Sequence, residues 1–76
     1  MPRFFFHQYV RGYMTEDRIG IILPTDGAAC YRAVRRTPAE LKRAEQDSLN
    51  TYVATQVTDG KRTLFVVRGT VIVEKW

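Results

Sequence analysis

The stretch TDGAACYRAVRRTPAELKRAEQDS, Thr25–Ser48, decides the architecture, because no other part of the chain carries helical periodicity. Small and apolar residues recur at Cys30, Ala33, Val34, Thr37, Leu41, Ala44 and Ser48 and keep one helical phase. Pro24 ends whatever precedes the segment, Thr25 is a good N-cap, and Asp26 suits the first turn. Pro38 complicates the pattern, since a proline inside a helix removes one N–H and clashes one turn back. Thr37-Pro38-Ala39-Glu40 also reads as a fresh helix start, with a cap, a proline at the first position and a glutamate at the third. The expectation is two helical pieces, about 26–36 and 38–47, forming one kinked helix (about 26–47) on one face of a sheet.

Strand chemistry flanks this segment on both sides. Arg3–Val10 is aromatic and β-branched, and alternation sends Phe4, Phe6, Gln8 and Val10 to one face and Arg3, Phe5, His7 and Tyr9 to the other. Arg11-Gly12 reads as a tight turn leading to a return strand from Tyr13 to Thr15. Ile19–Leu23 is a short apolar run with a bulge or bend at Gly20. After the helix, Leu49–Thr58 resumes strand character, and Asp59-Gly60 is the strongest hairpin signal in the chain. Lys61–Arg68 is its partner, Gly69 marks a second bulge or bend, and Thr70–Lys75 continues the strand. The order is ββαββ. Tight hairpins make the sheet mainly antiparallel, and one helix on one face makes an α+β two-layer sandwich.

Length and composition narrow the function classes. At 76 residues the chain is a single domain, 1–76, too short for a barrel or a complete dinucleotide-binding fold. One cysteine, Cys30, cannot form an internal disulfide framework, which points to a reducing cytoplasm and reads as a small core residue. No apolar run approaches the ~20 residues that span a bilayer, and the N-terminus lacks a signal-peptide pattern. Beginning at Met1, the chain reads as a complete small protein. The net charge is +4 and is dispersed rather than gathered in a basic tail.

The opening Met1-Pro2-Arg3-Phe4-Phe5-Phe6-His7 resembles a family of small bacterial proteins known as a domain of unknown function. Its members open Met-Pro-Arg-Tyr/Phe-Phe-Phe and continue to an acidic stretch, a glycine, a Leu-Pro-Asp and an Ala-rich helix. Here these are matched by Glu16-Asp17, Gly20, Leu23-Pro24 and Ala28-Ala29. The Asp59-Gly60 turn and the strand after it are also similar to the family's C-terminal half. The resemblance covers essentially the whole chain and is most specific over residues 1–34. Thr25 stands where the family usually has Asp, and Asp26-Gly27 replaces Leu-Glu. The resemblance implies no activity, cofactor or catalytic residue.

The residues themselves offer little catalytic chemistry. His7 is the only histidine and Cys30 the only thiol, so no zinc spacing or hydrolytic triad can be assembled within one chain. His7 reads as structural. Glu16-Asp17 reads as a solvated turn, and Glu40, Glu45 and Asp47, interleaved with Lys42 and Arg43, as a wet helix face. The five glycines form no phosphate loop. No cofactor, metal or small-molecule substrate is expected.

Two features remain. Arg32, Arg35, Arg36 and Arg43 share a helix face that could grip phosphates, with Glu40, Glu45 and Asp47 one turn away to weaken the field. Five of the nine aromatics lie in residues 4–13, and Phe5 and Tyr9 point away from the helix. A domain this small would cover such a patch most readily with a second copy, with the last strand, ending at Trp76, as a further edge for pairing. Phe5, Tyr9 and Trp76 are therefore the expected self-association surface. The leading expectation is a bacterial, cytoplasmic, non-enzymatic interaction module acting as a homodimer. The alternative is a nucleic-acid-binding or regulatory, antitoxin-like protein that uses the arginine face. An enzyme comes third and would need a site shared across a dimer around His7 or Cys30.

Overall fold

A computed structural model describes residues 2–44, 51–72 and 74. In chain order the elements are β1 (Arg3–Val10), β2 (Tyr13–Thr15), β3 (Ile21–Ile22), α1 (Asp26–Ala44), β4 (Thr51–Thr58) and β5 (Thr63–Val71). They form an α+β fold in which one helix lies on an open five-stranded antiparallel sheet ordered β2-β1-β4-β5, with β3 also pairing β1. The order resembles the expected ββαββ, with the short β3 as an additional strand before the helix and β1 and β4 in the middle of the sheet. No helix among the described residues is long and apolar enough to cross a membrane.

The first turn forms as its residues dictate. Arg11 and Gly12 have φ of 53° and 83°, the double positive φ of a two-residue hairpin that matches strand twist. The Thr25 hydroxyl caps α1 by accepting the Ala28 N–H at 3.0 Å. The helix then runs uninterrupted through Pro38, so the two expected pieces are one element. The Thr37 hydroxyl, one residue before the proline, lies 2.8 Å from the Ala33 carbonyl. Glu45, Asp47 and Ser48 lie outside the described residues.

Packing shifts the buried helical stripe from the expected one. Ala29, Ala33 and Thr37 are buried, Cys30 is half-buried, and Val34 is exposed. Short side chains let α1 settle close to the sheet, where Phe4, Phe6 and Val57 complete the core with partly buried Ile21, Leu23, Leu64, Phe65 and Val67. Gly69 serves the same approach. It stays in register opposite Val53, and a Cβ there would meet Leu41 Cδ2 at 3.1 Å. The register shift of this ladder falls instead between Val57 and Thr58. The second hairpin closes through the four residues 59–62, with Asp59 accepting the N–H groups of Lys61 and Arg62, so β5 starts at Thr63 rather than Lys61. Its described extent is Thr63–Val71, Ile72 beyond it is exposed, and the expected end at Lys75 lies outside the described residues.

The edge beside β1 is interrupted. β2 pairs residues 8–10 and β3 pairs residues 3–4, which leaves the middle of β1 facing the loop 16–20. Of the apolar run Ile19–Leu23, only Ile21 and Ile22 form strand, and Ile19 stands exposed. Gly20, at φ +74°, brings the chain back so closely that a Cβ would stand 2.8 Å from Arg3 Cγ and 2.9 Å from the Phe4 carbonyl oxygen. At Gly12, with φ +83°, a Cβ would meet nothing within 4 Å. Gly12→Ala should therefore cost only the backbone strain, about 1 kcal/mol. Gly20→Ala adds a clash with backbone and should cost about 2–3 kcal/mol or more. Urea unfolding of the two variants measures the difference.

Candidate functional site: the open sheet face and an arginine groove

The strand register determines which side chains share the face that α1 leaves bare. Directly opposed residues in an antiparallel pair lie on the same face. Phe5, His7 and Tyr9 of β1 are matched by Thr58, Gln56 and Ala54 of β4. Ala54, Gln56 and Tyr52 are matched in turn by Arg68, Val66 and Thr70 of β5, and Met14 lies opposite Tyr9. Met14, Tyr52 and Val66 are 44–50% exposed. Ala54, flanked by Tyr9 and Arg68, is only 3% exposed.

Three polar side chains of this face form a chain, while His7, Thr58 and Thr70 bond backbone groups. The Tyr9 hydroxyl donates to Gln56 Oε1 at 3.3 Å, and Gln56 Nε2 donates to the Thr63 hydroxyl at 2.6 Å. Phe5 is on the expected face but is wedged between two loops, since Cβ atoms at Gly20 and Gly60 would stand 3.0 and 3.3 Å from its ring. Tyr9 is half-buried at the centre of the face. Trp76, the third residue expected here, lies outside the described residues. Met14, Tyr52 and Val66 were not singled out from the sequence; the pairing register that gathers them is not a local signal.

His7 and Asp17 hold the broken edge. The Asp17 carboxylate accepts the N–H groups of Phe6 at 3.1 Å, Ile19 at 3.1 Å and Gly20 at 3.0 Å. It thus gives Phe6 a partner where no strand pairs on that side. His7 Nδ1 accepts the Asp17 N–H at 3.0 Å, and Arg3 donates to the Ile19 carbonyl at 2.7 Å. Glu16-Asp17 is therefore more than a solvated turn: Asp17 is a structural plug and only Glu16 is exposed, 3.5 Å from Arg18. Burial pushes the Asp17 carboxyl upward, but the hydrogen bonds from Gly20, Phe6 and Ile19, with His7 nearby, outweigh it and hold the carboxyl below its ordinary range.

On the helix, Arg32, Arg35 and Arg36 come together and Arg43 does not join them. The three line a groove of about 640 Å³ with Leu23, Ala28 and Tyr31. Arg35 is engaged with Tyr31, its guanidinium 5.7 Å from the ring centroid and 3.1 Å from the hydroxyl. Arg32 and Arg36 have no acidic partner among the described residues. Arg43 instead pairs with Glu40 at 3.4 Å. Tyr31 escaped notice in the sequence, although its i,i+4 spacing to Arg35 was a usable signal. Among the described residues no group of three His, Cys, Asp or Glu side chains could hold a metal ion.

Compared with protein-family models, curated proteins and solved structures, the chain matches none.

The Asp17 plug has a defined pH signature. Its folded carboxyl titrates below the unfolded value of about 3.9. The stability it contributes is complete above that unfolded value and is lost as pH falls through the lower folded value. Asp17→Ala should cost ~2 kcal/mol at pH 7. The gap to the parent protein should narrow as urea unfolding is repeated from pH 5 towards pH 2.

Proposed function

We propose that this protein is a small, non-enzymatic interaction module that acts as a homodimer through the open sheet face. The observation that carries the reading is the internal bonding of that face. Burying a polar group costs free energy when its partner was water. Here Tyr9, Gln56 and Thr63 already bond to each other, so a second copy can cover the face without stranding them. Two copies each carry +4, and the formally charged side chains on this face are Arg3, at its end and bonded to the Ile19 carbonyl, and Arg68, so the pairing must keep these cations apart. Tyr52, Val66 and Met14 supply apolar area around Tyr9.

The non-enzymatic part rests on the chain's chemistry. The single histidine commits Nδ1 to a backbone N–H, and the most strongly held carboxylate, Asp17, is occupied by three more. In this reading the protein works in the reducing cytoplasm of a bacterium, like the small proteins its opening resembles.

A second reading is favoured by the groove. Arg32 and Arg36, exposed and without acidic partners among the described residues, suit phosphate oxygens, as in a nucleic-acid-binding or antitoxin-like regulator. Its signature is binding of oligonucleotides that weakens steeply with salt.

Sedimentation equilibrium tests the first reading. A dimer is expected at tens of micromolar, and Tyr52→Glu/Val66→Glu, which changes only exposed positions, should leave a folded monomer. A strict monomer of the parent protein at that concentration would falsify it.

A further inference from the structure

Beside the arginine groove lies a second concavity that the first reading does not use. It occupies about 310 Å³ between α1 and the broken β2/β3 edge, and its walls include Phe6, Gln8, Thr15, Glu16, Ile21 and Arg36. Arg36 lines both this cleft and the groove, so the two meet at its side chain.

Gln8 gives the cleft its chemistry. It is 7% exposed, and its Nε2 has no hydrogen-bond partner among the described residues. Reassigning protons does not remove the deficit. The Thr37 hydroxyl is 2.8 Å from the Ala33 carbonyl and 2.7 Å from the Thr55 hydroxyl, which is 3.3 Å from Gln8 Oε1. Each hydroxyl has one proton to give. If Thr37 donates to Thr55, Thr55 donates to the Gln8 oxygen and the amide NH2 is left over. If Thr37 donates to Ala33, Thr55 donates to Thr37, and Gln8 bonds Thr55 only after its amide turns over. Its oxygen is then left over. In both arrangements one terminal atom of a buried amide, able to present a donor or an acceptor, lacks a partner, and native proteins leave few such groups.

The charges on the two sides of Arg36 differ. The groove is lined by arginines alone among charged groups, whereas the cleft also carries the carboxylates of Glu16 and Asp17. An anionic group is therefore favoured in the groove and disfavoured in the cleft. The cleft suits an uncharged group with hydrogen-bonding edges and apolar faces, since Phe6 and Ile21 line it beside Gln8 and Thr15.

We propose that the groove and cleft together hold one unpaired nucleotide unit, its phosphate on Arg32 and Arg36 and its base in the cleft against Gln8. This rests on the second reading above and adds to it a base-reading position. A paired base cannot enter a cleft, so the ligand is a single strand or a free nucleotide, not duplex.

Fluorescence anisotropy with labelled single-stranded homopolymers of A, C, G and T, and with a duplex, tests this at low salt. Single strands should bind at least tenfold tighter than duplex, and base identity should change affinity by about tenfold. Gln8→Leu should erase the differences between bases while retaining binding. Because Gln8 is buried, Thr15→Trp, at an exposed position on the cleft wall, provides a second block that leaves the groove intact. Arg32→Glu/Arg36→Glu should abolish binding of every oligonucleotide. Competition by mononucleotides at micromolar concentration would identify a free nucleotide as the ligand, and competition by oligomers alone a strand. Equal affinity for all four homopolymers and the duplex would overturn the base-reading position and leave the phosphate reading standing. No binding of any probe would overturn both.

Discussion

One helix cannot cover both faces of a sheet. The 19 residues of α1 are spent on a single face, where Ala29, Ala33 and Thr37 lie over Phe4, Phe6, Val53, Thr55 and Val57. Burial of apolar area is worth roughly 25 cal/mol per Å², and a chain of 76 residues has few places to obtain it. The close approach that makes this one interface dense depends on missing side-chain volume: alanines on the helix and Gly69 on β5. The molecule is two-sided as a result. One side is a core, and the other is a sheet surface that the helix leaves uncovered.

The interrupted edge is the second determinant. A complete strand beside β1 would have closed the space under α1 on that side. The chain instead loops out at residues 16–20, and the Asp17 carboxylate takes the Phe6 N–H. The gap is tolerable because Asp17 satisfies the backbone, and it leaves a cleft into which Gln8 and Arg36 look from opposite layers. Thr15, Glu16 and Asp17 all line this opening, and of the three it is Asp17 that also holds the loop through its backbone hydrogen bonds.

The sequence made much of the fold legible because its signals are local. Arg11-Gly12, the Thr25 cap and the alternation of Arg3–Val10 each act over a few residues, and each appears in the structure. Pro38 suggested two helical pieces joined in one helix, and tertiary packing of one face carries that helix through the proline. Gly69 looked like a bulge because a glycine in a strand has two meanings, and only packing against Leu41 distinguishes them. The sites were less legible for the same reason. The arginine spacing announced a shared face, but the separation of Arg43 from the other three required the groove itself. Gln8 looked like one more inward residue of β1. Its deficit emerges only when Thr37 on the helix and Thr55 on β4, far apart in sequence, are brought to its side.

The central claim is that the uncovered face is completed by a second copy while the helix face remains free. Solvent paramagnetic relaxation, measured by NMR with a soluble probe over a range of protein concentrations, tests it most directly. Protection at Tyr9, Met14, Tyr52 and Val66 should rise with concentration, while Arg32 and Arg36 stay equally accessible. Unchanged accessibility of the sheet face up to hundreds of micromolar would contradict the account.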